Sequence, residues 1–253
     1  MKNLIAAVLL LMCGSVWAAS EYSPLYVAAE KGDLAKVEEQ IASGADVNIK
    51  GTYGMSALQA AADGQHAEVV NALLEAGADP DISGGLVDET PLKMAATYGY
   101  EAIVKLLIAA GAEVDAPDNS GVTALGIAAG RAHSGTVKIL LAAGADINAT
   151  DMYGRTVLYL TMERGDPEIV TMLLAAGAQV NAATEDGSTP LMGATQDGNL
   201  EVMRLLLANG AEVNAISKIR GKKTTATDIA VKRKRQEAEE LLKEHGGKSA
   251  HDL

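Results

Sequence analysis

The chain has 253 residues, of which 48% are hydrophobic, 21% charged and 3% aromatic, with a formal net charge of −12. That apolar content excludes a disordered chain, and the acidic balance argues against nucleic acid as a partner. With no Phe and one Trp, the core has to come from Ala, Leu, Val, Ile and Met, which suits thin, closely packed helices.

Residues 1–18 read as a secretory signal. Lys2 supplies the positive start, Leu4 to Met12 the apolar stretch, and Val16-Trp17-Ala18 a cleavage site. Nine apolar residues are too few to cross a bilayer as a helix. Cleavage after about Ala18 predicts a periplasmic mature chain with no transmembrane segment. Cys13, the one cysteine, leaves with the signal, so no disulfide or thiol chemistry is expected. Lipid attachment there is disfavoured, because Leu11-Met12 stand where two small residues are expected.

The remainder is periodic. A Gly-Ala pair recurs at Gly44, Gly77, Gly111, Gly144, Gly177 and Gly210, spaced by 33, 34, 33, 33 and 33 residues. A second landmark, at Leu25, Leu58, Leu92, Leu125, Leu158 and Leu191, keeps the same spacing. Two unrelated markers in step through five intervals define a repeat. The predicted repeats are 21–49, 50–83, 84–116, 117–149, 150–182 and 183–217, followed by a cap at 218–247 and a disordered tail at 248–253.

Each unit predicts two short helices. Ser23, Ser56, Thr90, Thr123, Thr156 and Thr189 stand where a hydroxyl can cap the first helix, and Pro24, Pro91 and Pro190 follow at its first position. Alanine pairs such as Ala61-Ala62 and Ala128-Ala129 let neighbouring helices approach, and Gly32, Gly99, Gly165 and Gly198 end the element. The second helix carries apolar residues at i, i+3 and i+4, as at Val70, Leu73 and Leu74, until the Gly of the Gly-Ala pair stops it. Helices of this length are marginal alone, so the units must stack.

Asp-Gly-Ser-Thr-Pro-Leu at 186–191 and Leu-Leu-Ala-Ala-Gly-Ala-Asp-Ile-Asn-Ala at 140–149 closely resemble the ankyrin repeat, across about residues 23–246. The resemblance implies an all-α repeat solenoid of antiparallel helix pairs joined by β-hairpin fingers, and protein binding on a concave face. The ends resemble caps. The first unit has a polar second helix, and Lys232-Arg233-Lys234-Arg235 covers the outside of the last. The distance from Gly210 to Gly246 is 36, which places three extra residues in the preceding finger.

No catalytic or metal-binding constellation is apparent. His66, His133, His245 and His251 are scattered without metal-ligand spacing, although His66 sits where ankyrin repeats often carry a turn-stabilising histidine. Gly221-Lys222-Lys223-Thr224 lacks the earlier glycine and flanking strand of a phosphate loop. Asp46, Asp79, Asp115 and Asp146 with Asn48, Asn148, Asn181 and Asn214 recur once per finger turn, where they are expected to bond their own backbone rather than calcium. No enzyme activity, cofactor or metal is predicted.

The variable slots of the ankyrin unit, at finger tips and on the inner side of the first helix, nominate a partner-binding face. By register these are Tyr53 and Met55, then Leu86, Val87 and Tyr98, then Ser120 and Arg131. The fifth unit adds Met152, Tyr153, Arg155 and Arg164, and the sixth adds Glu185, Asp186 and Asp197. Tyr, Met and Arg are types enriched at interfaces, although Tyr53 and Tyr153 could instead pack on the neighbouring finger. The third finger is one residue longer and has Asp88 in place of the tip glycine. The fourth inter-helix turn, Gly130 to Gly135, is unusual, and Leu160-Thr161-Met162 puts bulk where alanines are expected. The cations Lys218, Arg220, Lys222 and Lys223 read as a solvated edge, with an anionic surface as the sharper alternative.

The functional expectation is a monomeric, non-catalytic protein-interaction module in the bacterial periplasm. By resemblance it would be an inhibitor, immunity or protective partner of an envelope or secreted enzyme. Residues 215–253 hold ten Lys/Arg against six Asp/Glu, so residues 1–214 carry −16, which favours a partner with a basic surface. Binding of an envelope glycan is the alternative, disfavoured by the low aromatic content.

Overall fold

The computed structural model describes residues 23–51, 54–85, 88–219 and 221–253. The expected signal peptide, Cys13, Tyr53, Leu86, Val87 and Arg220 lie outside the described residues. Among the described residues the chain divides into two compact units, one of residues 23–95 and 100–113 and the other of residues 96–99 and 114–253.

In the first unit, helices α1 (Pro24–Glu30) and α2 (Leu34–Ala42) form one antiparallel pair, and α3 (Ala57–Asp63) and α4 (Ala67–Glu75) the next. Helix α1 packs on α3 and α2 on α4, and α6 (Glu101–Ala109) continues the second-helix layer. Helix α5 (Pro91–Tyr98) spans the division between the units. The second unit repeats the scheme with α7 (Ala124–Gly130), α8 (Ser134–Ala142), α9 (Val157–Leu160), α10 (Pro167–Ala175), α11 (Pro190–Asp197) and α12 (Leu200–Ala208). It ends with strands β1 (Ser217–Ile219) and β2 (Lys222–Thr224) and helices α13 (Ala226–Arg233) and α14 (Gln236–Glu244). The strands pair antiparallel, Ser217 opposite Thr224, so the finger with the three extra residues forms a true hairpin, whereas fingers two, three and five have isolated bridges.

The helices begin as their sequence requires. Ser56, Thr123, Thr156 and Thr189 each accept the N–H three residues on, and Ser56 completes a reciprocal box with Gln59. Ser23 departs from the expectation: its side chain caps nothing, and Pro24 alone marks the start of α1. The second helices differ from the expected register. Their buried side chains fall at i, i+1 and i+4, as at Val69, Val70 and Leu73 or Ile169, Val170 and Leu173. Val70, Leu73, Val170 and Leu173 are buried as the sequence pattern requires, whereas Leu74 and Leu174 are only half-buried.

Between the two helices of a unit, one residue adopts the left-handed conformation. Gly32, Gly99, Gly165 and Gly198 do so, and Gln65, Ala132 and Lys234 take the same place where glycine is missing. The unusual fourth turn therefore has the ordinary geometry. A clasp from the next repeat closes several of these turns. His66 Nε2 lies 3.1 Å from the Glu30 carbonyl and His133 Nε2 3.0 Å from that of Thr97, while Asn199 Nδ2 donates to the Gly165 carbonyl at 2.7 Å. A Cβ on Gly32 would meet the His66 ring at 2.4 Å, so glycine is needed there for space as well as for conformation.

The acidic and amide residues of the fingers fall into two sets. Asp46, Asp79 and Asp146 accept the N–H two residues on, as expected. A second set bonds to the following repeat instead. Asn48 accepts from Asp79 N and Asp81 from Glu113 N in the first unit. Asp115 accepts from Asp146 N, Asn148 from Gln179 N, Asn181 from Glu212 N and Asn214 from Lys248 N in the second. This recurrence holds successive fingers at a fixed spacing. At the C-terminal end, Thr225 Oγ1 donates to the Lys248 carbonyl and Ala250 N donates to Asp228, so the start of the expected tail bonds back to the cap.

Candidate protein-binding face

The finger tips of the second unit are shaped by their own side chains. Asp118 accepts from Ser120 N at 2.7 Å and Val122 N at 3.0 Å, and Asp151 accepts from Tyr153 N and Arg155 N, both at 2.9 Å. In the sixth finger Asp186 Oδ1 accepts from the Thr184 hydroxyl at 2.6 Å and from Ser188 N at 3.1 Å. The Thr184 hydroxyl, foremost, holds the Asp186 carboxyl below its ordinary value. Asp186, nominated as a contact residue, is thus first a residue that shapes its own finger.

Backbone bonds stitch the tips into a row. Met152 N donates to the Ser120 carbonyl at 2.8 Å, Glu185 N to the Tyr153 carbonyl at 3.1 Å, and Lys218 N to the Asp186 carbonyl at 2.7 Å. Gly121, Gly154 and Gly187 have positive φ, and a Cβ on Gly154 would lie 3.2 Å from Glu185 N. Four consecutive fingers of this unit are therefore mutually braced, and the residues between the braces are presented on a fixed backbone.

Met152 and Tyr153 stand out from this row, 56% and 54% exposed. The Arg155 guanidinium carbon lies 5.4 Å from the centre of the Tyr153 ring. Arg155 Nε is 2.6 Å from Oδ2 of the buried Asp151 side chain, and its other arm lies 3.8 Å from Glu163. Arg155 therefore braces the tyrosine rather than reaching freely for a partner. Tyr153 packs on Arg155 on one side and keeps an open face on the other.

A cavity of about 160 Å³ opens below the tips. Leu160, Met162, Met192, Gly193 and Ile229 give it an aliphatic lining, and Arg155, Glu163 and Asp197 contribute its charges. Its origin lies in the fifth unit. Instead of a full first helix, α9 stops at Leu160 and a 3₁₀ turn follows at Thr161–Glu163. Glycines in the flanking helices accommodate the larger residues. A Cβ on Gly126 would lie 3.1 Å from Leu160 Cδ1, and one on Gly193 would lie 3.0 Å from both Cβ and Cγ of Met162. Tyr159 also lines the cavity. Burial, chiefly, raises its phenol, with Asp186 adding to the rise while Arg155 and a bond with Ser188 oppose it.

Of the nominated residues, Met152, Tyr153 and Arg155 meet at one tip, and Arg155 and Asp197 line one cavity. Tyr98, Arg131 and Arg164 are exposed and do not line that cavity, and Met55 is half-buried in the first unit. Tyr159, Glu163, Met192 and Gly193 were not nominated. Gly193 could have been found by register: one repeat length separates it from Leu160 and two from Ile127, both apolar, so a glycine there leaves a side chain's worth of space.

Among the described residues no group of three His, Cys, Asp or Glu side chains is placed to hold a metal ion. Among them, too, no helix is long and apolar enough to cross a membrane.

The family model described as ankyrin repeats (3 copies) matches residues 2–84, 82–151 and 150–217. A mouse protein, ankyrin repeat and SOCS box protein 16, is 36% identical over 114 residues, covering 42% of this chain. The chain spans 25% of that relative's length. The ankyrin repeat domain of Bcl-3, described as a unique member of the IkappaB protein family, superposes with a TM-score of 0.75 at 27% identity. The human ASB11 ankyrin repeat domain gives the same TM-score at 31% identity. In each case 87% of this chain and 98% of the other are covered. The repeat suggests a protein–protein interaction module and is generally non-catalytic. With its stacked helix pairs, its linked fingers and these matches, the chain belongs to the ankyrin-repeat family and has the ankyrin-repeat solenoid fold.

Proposed function

We propose that this chain is a non-catalytic module that binds another protein through the finger tips and inner helices of its fourth to sixth repeats. The observation that carries the reading is the braced tip at Met152 and Tyr153. Two large, adaptable side chains stand half-exposed on backbone fixed by bonds to both neighbouring fingers. A backbone held this way has little left to order on binding, which removes part of the cost of association. Arg155 behind the ring and the cavity beneath it offer a place for a partner side chain. Its volume is close to that of a protein cavity known to admit benzene, about 150 Å³.

The partner we propose is an envelope or secreted protein with a basic surface, met in the bacterial periplasm by a monomer of this chain that inhibits or protects it. Support comes from the signal-like residues 1–18 and from the −16 carried by residues 1–214. Cell fractionation tests the location: recovery with cytoplasmic markers contradicts it. Capture from an envelope extract, comparing the natural chain with a Met152→Ala, Tyr153→Ala double variant, tests the face. The account expects the variant to lose the captured protein. Equal capture by both, or capture of cell-wall glycan in place of protein, contradicts it.

A further inference from the structure

The charge of this molecule reverses at its C-terminal end, and there the cations converge. Lys222 and Lys223 on β2 and Lys232 and Arg233 in the last turn of α13 line one open groove of about 880 Å³, with Gln196 contributing from α11. All four cations are exposed, and among the described residues none makes an ion pair. The groove holds one carboxylate, Asp228, whose Oδ2 accepts from Thr225 N at 3.0 Å and Ala250 N at 2.9 Å.

Solvation accounts for isolated surface lysines, and the negative end of α13 accounts for cations in its own last turn. Neither accounts for two further cations on a separate strand pair that line the same groove. Four cations against one carboxylate leave the groove with an excess of positive charge, and a ligand of opposite sign relieves the repulsion among them.

We propose that this groove binds an acidic, extended polypeptide segment of a partner protein. A groove between a finger and a helix admits a single chain, whereas a bilayer surface is flat and would also be repelled by the −16 on residues 1–214. Single-stranded nucleic acid would want aromatic platforms, and no aromatic residue lines the groove. The inference goes beyond the reading of the finger-tip face and stands without it, because no residue of the Met152 and Tyr153 tip lines this groove.

The test is binding of a fluorescein-labelled oligoglutamate peptide to the full chain, followed by fluorescence anisotropy at low salt. Lys222→Gln with Lys223→Gln should weaken binding about tenfold, within the range for losing two exposed ion pairs. Lys243→Gln with Lys248→Gln, removing equal charge from the same cap outside the groove, should change it less than about twofold. Met152→Ala with Tyr153→Ala should leave it unchanged. If circular dichroism finds the first pair unfolded, Lys232→Gln with Arg233→Gln carries the same expectation. Absence of binding, or equal weakening by the two lysine pairs, overturns the proposal. So does tighter binding of anionic phosphatidylserine vesicles, inorganic phosphate or single-stranded DNA that depends on Lys222 and Lys223. Self-association abolished by the Lys222 and Lys223 changes would give the groove to a second copy and overturn it as well.

Discussion

Ala132 occupies a left-handed position that Gly fills in the first, third, fifth and sixth repeats. An L-residue there costs about 1–2 kcal/mol, and glycine's extra entropy in the unfolded chain returns part of it. Ala132→Gly is therefore expected to stabilise the protein by about 0.5–1 kcal/mol, read as a higher urea midpoint at unchanged slope. His133→Ala removes the ring that spans to the Thr97 carbonyl and should cost about 1 kcal/mol. A third prediction concerns acid. Because the folded Asp186 carboxyl titrates below its ordinary value of 3.8, its contribution is complete above that value and is lost as pH falls below it. Asp186→Asn should flatten the acid limb of the stability profile, and an unchanged limb would refute the assignment. At this scale the sequence was informative about caps and turn glycines, because each needs one residue type at one place. It said less about Asn48, Asn148 and Asn181, whose partners lie a full repeat away.

Among the elements, α9 departs furthest from its siblings, and the departure is matched on both sides. Leu160 and Met162 take the space that Gly126 and Gly193 leave. Gly193→Ala alone should destabilise by about 1–2 kcal/mol, since Met162 must move. Combined with Met162→Ala it should cost less than the sum of the two single changes, with a coupling of at least about 0.5 kcal/mol. Strict additivity in a double-mutant cycle would mean that the two side chains do not compete for this space. The bulky Leu160-Thr161-Met162 run was visible in the sequence, but its consequence was not. The cavity depends on residues in the repeats on either side. The half-burial of Leu74 and Leu174 escaped for a similar reason: periodicity finds an apolar face, while its neighbours decide which part of it is covered.

For the molecule as a whole, period and landmarks sufficed to read the architecture, since short helices of this kind are stable only in a stack. The binding face was legible in part. Register located Met152, Tyr153 and Arg155, but nothing in the sequence distinguished a free arginine from one committed to Asp151. Charge adds an expectation at this scale. With −16 on residues 1–214, complex formation with a basic partner should weaken as salt rises, and affinity indifferent to salt would speak against electrostatic attraction. The most direct test of the protein-binding account is hydrogen exchange of the chain with and without its captured partner. Slower exchange should appear at the tip amides around 152–155 and 185–188 and along α11, while the second helices α8, α10 and α12 stay unchanged. Protection confined to those second helices, with the tips unaffected, would contradict it.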